Sequence, residues 1–113
     1  MTRTIELLAW SGCPSHPVAE RQLRGILADL GLTDVQVTRT WIEDDETAVR
    51  RRFAGSPTFR VDDEDLIPVD ANDAYGLTCR VYVLADGRYS PTPDLEELRR
   101  AVAARFPGTP SSA

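Results

Sequence analysis

The segment Trp10-Ser11-Gly12-Cys13-Pro14-Ser15-His16 carries the most reactive grouping in the chain. A cysteine where an apolar strand gives way to a helix meets unpaired backbone N–H groups and the positive end of the helix dipole. Both favour its thiolate, the form that attacks disulfides, so Cys13 is the expected nucleophile. His16, three residues on, stands where it could stabilise that thiolate or move a proton. Cys79, the second cysteine, could serve as the resolving thiol. Plainer roles suit the same residues: Cys13 as a small buried hydrophobe, His16 as an exposed residue at a helix start, Cys79 as a core thiol at the start of a strand. A zinc site built from Cys13, His16 and Cys79 would have only three soft ligands, and no metal is expected.

Composition narrows the remaining chemistry. All 13 basic residues are arginine, so the amine needed for a Schiff base, a pyridoxal-phosphate linkage or a Walker-type phosphate loop is missing. The net charge of −5 argues against a nucleic-acid partner. Arg50, Arg51 and Arg52 point in different directions around a short helix and read as a solvated face. Asp62-Asp63-Glu64-Asp65 reads as a solvated turn, since no spaced partner ligands accompany it. The longest apolar stretches, Leu7 to Trp10 and Val81 to Ala85, fall far short of the roughly 20 residues that span a bilayer. The start, Met1 to Glu6, lacks the apolar run of a secretory signal. A cytoplasmic location with no membrane partner is the expectation, and there the two cysteines read as thiols or a transient catalytic pair.

These side chains need a scaffold, and the periodicities supply one. Thr4 to Trp10 reads as a buried first strand, ended by Ser11-Gly12. Ala19, Leu23, Ile26, Leu27 and Leu30 recur at helical spacing from Pro14 onward, with Gly31 as the cap. Val35 to Ile42 reads as a second strand. Asp44 to Phe53 holds a short helix with Ala48, Val49 and Phe53 on its apolar face. Thr58 to Val61 is a third strand, turning through Asp62 to Glu64 into a fourth over Asp65 to Val69. A polar loop, Asp70 to Thr78, leads to a fifth strand, Arg80 to Leu84, closed by Asp86-Gly87. Asp94 and Glu97 cap a last helix whose inward face is Leu95, Leu98, Val102 and Phe106. The expected fold is α/β in the order β-α-β-α-β-β-β-α, a mixed sheet with helices on both faces. Residues 1–106 form one domain, and 107–113 a flexible tail.

Trp10-x-x-Cys13-Pro14 after the first strand, Ser56-Pro57-Thr58 opening the third, and this element order resemble the thioredoxin and glutaredoxin superfamily. With Tyr75-Gly76-Leu77-Thr78-Cys79-Arg80 included, the pattern is also similar to small bacterial thioredoxin-like proteins, some of which carry the label alkylmercury lyase. The resemblance implies a cis Pro57 against Cys13, with the Ser56 backbone pairing with a bound substrate chain. Trp10, Pro14 and Tyr75 are further candidates for substrate binding, with packing or rim roles the plainer reading of Trp10 and Trp41. Two departures matter. Cys13-Pro14-Ser15-His16 lacks the usual second cysteine, and Leu7 stands where thioredoxins bury a proton-accepting aspartate.

Whether Cys79 can resolve depends on register. If Arg80 to Leu84 pairs with the third strand, Cys79 starts about 13 Å from the Pro57 end, too far for a disulfide. If Asp65 to Val69 is the partner instead, the loop from Asp70 to Thr78 covers the reactive face and brings Cys79 near. The leading expectation is a thiol–disulfide oxidoreductase with no bound cofactor. Its partner would be a disulfide-bearing protein or a small thiol such as glutathione. The alternatives are a redox-inactive module that binds a peptide or protein along the Pro57 edge, and carbon–mercury cleavage with Asp70 or Asp73 as the acid. A trans Pro57 with distant thiols would favour the binding module.

Overall fold

The computed structural model describes residues 3–68 and 74–106. Its centre is β1 (Arg3–Ala9), whose alternation sends Ile5 and Leu7 to one face and Leu8 to the other. Helix α1 (His16–Asp29) then crosses over to β2 (Val35–Trp41), which lies parallel to β1 with Arg3 opposite Val35 and Ala9 opposite Trp41. On the other edge of β1, β3 (Thr58–Val61) runs antiparallel, with Leu7 opposite Phe59, and β4 (Glu64–Asp65) returns beside it. The sheet is therefore mixed, in the order β2-β1-β3-β4. Asp62 and Asp63, with φ of 53° and 65°, make the left-handed pair that a two-residue hairpin turn demands.

Two apolar clusters fix the layers. Ala19, Leu23, Ile26 and Leu27 of α1 pack with Leu98 and Val102 of α3 (Leu95–Arg105) against Ile5, Leu7 and Phe59. Leu8 meets Ile42, Phe53 and Ala48 of α2 (Asp45–Arg50) on the opposite face. Helices thus cover both faces, which is why all four residues of β3, Arg60 included, are buried. Arg60 is tolerated there because Asp65 and the Arg52 carbonyl accept from its guanidinium, at 2.6 and 2.9 Å.

Several boundaries differ from the sequence reading. Helix α1 begins at His16 with Ser15 as its N-cap, not at Pro14, so Cys13 sits in the turn before the helix. In α2 only Ala48 is buried and Val49 faces solvent, because so short a helix buries a single residue. The fourth strand stops after Asp65: the chain bends at the buried Leu66 and Ile67, and Pro68 has no N–H for a ladder. Arg80 to Leu84 does not extend the main sheet. Only β5 (Tyr82–Val83) is strand, paired with β6 (Tyr89–Ser90) in a separate hairpin that turns at Gly87, φ 88°. Leu95 is half exposed, lining a shallow groove with Leu84 where the first turn of α3 meets that hairpin. Val69, Asp70, Asp73 and the tail 107–113 lie outside the described residues.

Candidate functional site

The site forms where the turn after β1 meets the start of β3. Cys13 donates its backbone N–H to the Trp10 carbonyl at 3.0 Å, closing that turn. Glu43 pins it from outside by accepting from the Ser11 N–H and hydroxyl, bonds that hold the Glu43 carboxyl below the usual range. Trp10 packs against the Leu8–Phe53 cluster, and its indole lies so close to Gly12 that a β-carbon there would fall 2.4 Å from the ring. Trp10 is a packing residue that shapes the turn. Pro14 is exposed beside the buried Cys13.

Across from the turn, the Ser56–Pro57 peptide bond is cis and both residues are buried. Residues 76–80 run alongside this corner as a strap. Gly76 donates to the Phe53 carbonyl at 3.0 Å, Ser56 donates to the Thr78 carbonyl at 2.8 Å, and Arg80 donates to the Ser56 carbonyl at 2.8 Å. Ser56 and Cys79 thus form a parallel bridge. Of the two registers open to the sequence, β4 pairing with β3 is the one adopted, and the strap carries Cys79 onto Cys13. Their sulfurs are 2.9 Å apart, with the Cys79 S–H donating to Cys13 Sγ. Both are thiols; Cys13 is fully buried and Cys79 is exposed above it.

The environment drives the two thiols apart in acidity. Burial pushes Cys13 up, but the hydrogen bond from Cys79, together with the nearby polar groups of Ser15 and Ser56, outweighs it and leaves the thiol below its ordinary value; the Cys13 S–H itself donates to the Ser56 carbonyl at 3.4 Å. Cys79, as donor to that sulfur and then through its own burial and the charge on Cys13, is pushed up to about 11. Cys13 is therefore the more acidic thiol of the pair and Cys79 the less acidic one. No carboxylate hydrogen-bonds to either sulfur among the described residues; Leu7 is buried in the apolar core, and Glu6 points to the other face, bonded to Thr40 and Arg51.

Other residues from the sequence reading lie elsewhere. The ring of His16 packs edge-on against Trp41, centroids 5.0 Å apart, and makes no hydrogen bond to either cysteine among the described residues. Its place beside the thiolate is taken by Ser15, because the helix starts later than expected and its cap residue faces the sulfur. Tyr75 lines a separate groove with Arg51, Arg52 and Pro68. Ser56 and Pro57 do sit at the site, but the Ser56 backbone groups expected to pair with a substrate chain are taken by Thr78 and Arg80.

Three further residues build the corner without having been singled out. Gly55, at φ 140°, lets the strap approach so closely that a β-carbon would lie 2.7 Å from the Arg80 backbone. Arg80, buried, holds the strap to the β4 side by donating to the Ile67 and Pro68 carbonyls and stacks on Tyr82. Tyr82 donates its hydroxyl to the Pro57 carbonyl, and burial raises its pKa well above the ordinary tyrosine value. The Tyr82→Phe protein should lose about 1 kcal/mol of stability by removing one buried hydrogen bond, read as a lower denaturant midpoint at unchanged slope. Only Gly55, next to Ser56-Pro57, carried a sequence signal, as a backbone punctuator ahead of a proline.

Among the described residues, no three His, Cys, Asp or Glu side chains converge as a metal site would require, and no helix is long and apolar enough to cross a membrane. No protein-family model, curated protein or solved structure matches the chain.

Proposed function

We propose that this protein is a thiol–disulfide oxidoreductase of thioredoxin-like architecture whose redox pair is Cys13 and Cys79. The observation that carries the reading is the 2.9 Å contact between their sulfurs beside the cis Ser56–Pro57 bond. A disulfide needs two sulfurs about 2.05 Å apart, so closure asks for less than an ångström of movement. The strap thereby supplies the second thiol that Cys13-Pro14-Ser15-His16 lacks. In the reducing direction the dithiol gives two electrons and two protons to a substrate disulfide. Two substrate thiols leave and one Cys13–Cys79 disulfide remains. A small thiol such as glutathione, or a protein dithiol, reverses the change, and no bound cofactor is required.

A peptide-binding module would use the edge of Ser56 and Pro57 for strand addition, yet that edge is already filled by the chain's own residues 78–80. Carbon–mercury cleavage would need an acid, and the two aspartates suited to it lie outside the described residues. The test is equilibration in glutathione redox buffers, acid quenching, and thiol counting by mass after alkylation. The expected result is that both thiols disappear together with the loss of two hydrogens. A stable glutathione adduct on one cysteine with the other still reactive, or no oxidation at all, would sink the redox-pair reading.

A further inference from the structure

Resting on that reading, we infer that an external thiol opens the Cys13–Cys79 disulfide at Cys79, with Cys13 as the leaving group and never the sulfur that meets the partner. The basis is which sulfur can be reached. Disulfide exchange is an in-line displacement, so the attacking sulfur must approach the target sulfur from the side opposite its bonded neighbour. Cys13 has 0% of its surface exposed, enclosed by its own turn, by Ser56 and by Cys79, whereas Cys79 is exposed. A cleft of about 270 Å³ adjoins Cys79, lined also by Ala54, Ala74, Thr78, Arg80 and Val81, and Cys13 is not among its walls. An incoming thiol seated there meets Cys79 and does not meet Cys13.

The step balances as a two-sulfur exchange. A thiolate RS⁻ forms a bond to Cys79 Sγ, the Cys79–Cys13 bond breaks, and the electron pair leaves on Cys13 Sγ. That sulfur lies in the turn before α1, where polar groups of Ser15 and Ser56 favour its charge. A second RS⁻ then attacks the external sulfur of the mixed disulfide, releasing RSSR, and the Cys79 thiolate takes a proton from solvent. Two external thiols are oxidised to one disulfide and the protein disulfide is reduced to a dithiol. A low-molecular-weight disulfide such as oxidised glutathione restores the starting state. The asymmetry favours oxidation of thiols. Leaving groups of lower pKa depart faster, and Cys13 is the more acidic of the two; in the reduced protein, attack is hindered at Cys13 by burial and at Cys79 by protonation.

Two measurements test this. In the first, the wild-type protein is oxidised, its internal disulfide is verified by mass, a stoichiometric amount of glutathione is added, and the mixture is quenched in acid within milliseconds to seconds before peptide mapping. Glutathione should be found on Cys79 with Cys13 as a thiol; glutathione on Cys13 overturns the inference. In the second, the Cys13→Ser and Cys79→Ser proteins are titrated with iodoacetamide against pH, giving each remaining thiol a pKa and a limiting rate. Cys79 should react like a small-molecule thiol of the same pKa, and Cys13 at least tenfold more slowly. Equal limiting rates would overturn the inference even if the mixed disulfide is too short-lived to map. Failure of the internal disulfide to form at all would instead refute the redox pair itself.

Discussion

A Cys79→Ala protein is expected to lose about 100-fold in disulfide-exchange turnover while keeping its fold. Cys79 is the sulfur of the pair that an external thiol or disulfide can reach, so without it exchange has to start at the buried Cys13 and has no intramolecular thiol to complete it. The exposure of Cys79 means that removing its sulfur leaves no internal cavity, so the stability change should be small. The same substitution should raise the pKa of Cys13. The Cys13 sulfur loses the Cys79 donor, while burial still opposes its charge. Thiolate ultraviolet absorbance against pH reads that shift directly, and an unchanged Cys13 titration would show that the S–H···S contact does not hold the thiolate. In the wild-type dithiol the two cysteines have opposite linkage to folding. Cys13, depressed when folded, adds stability as pH rises from its folded value toward about 9. Cys79, raised from 9.0 to about 11 when folded, contributes stability that is full below pH 9 and is lost as pH climbs to 11. The reduced protein should therefore lose stability between pH 9 and 11 relative to the oxidised form, in which neither thiol titrates.

How much of this could be read from residues alone differs sharply between the two halves of the site. Cys13 in its turn follows from local signals: an apolar run, a Ser-Gly break, and helical periodicity beyond. The same local logic gave the mixed sheet, since the strand periods of β1 and β3 and the helix period of α1 each concern one element and its nearest partner. It failed for His16, where a shift of two residues in the helix start exchanged it for Ser15 as the residue facing the sulfur. It failed again for Leu95 and Val49, whose spacing is right but which lie past the reach of the sheet. The strap was legible only as two alternatives. Residues 78–80 are polar, carry no strand period, and are fixed by two backbone bonds to Ser56, a pairing that no pattern within the strap encodes. Arg80 was hardest of all. A buried arginine whose partners are backbone carbonyls and a tyrosine ring has no acidic residue in the sequence to announce it.

Gly55→Ala should separate the two sulfurs without touching either cysteine. The φ of 140° at Gly55 is a conformation that side-chain-bearing residues rarely adopt, and the new methyl would meet the Arg80 Cα and N at 2.7 Å. These are backbone atoms, so the contact cannot be relieved by a rotamer change. Either β3 shifts or the strap moves. The β3 side is held on both faces by the two apolar clusters and by the β1 ladder, whereas the strap is held by the Ser56 pair, the Gly76 bond and Arg80. The strap is the weaker side and should yield, at a cost of about 1–3 kcal/mol, the usual range for overpacking. Its displacement carries Cys79 away from Cys13 and uncovers the buried sulfur. Iodoacetamide should then label Cys13 at least tenfold faster than in the wild-type protein, and glutathione buffers should yield a mixed disulfide on Cys13 in place of the internal disulfide. A folded Gly55→Ala protein in which Cys13 stays unreactive and the internal disulfide still closes would show that the strap does not depend on the close approach at Gly55. Burial of Cys13 would then have to come from its own turn, the one pinned by Glu43 and packed over Trp10.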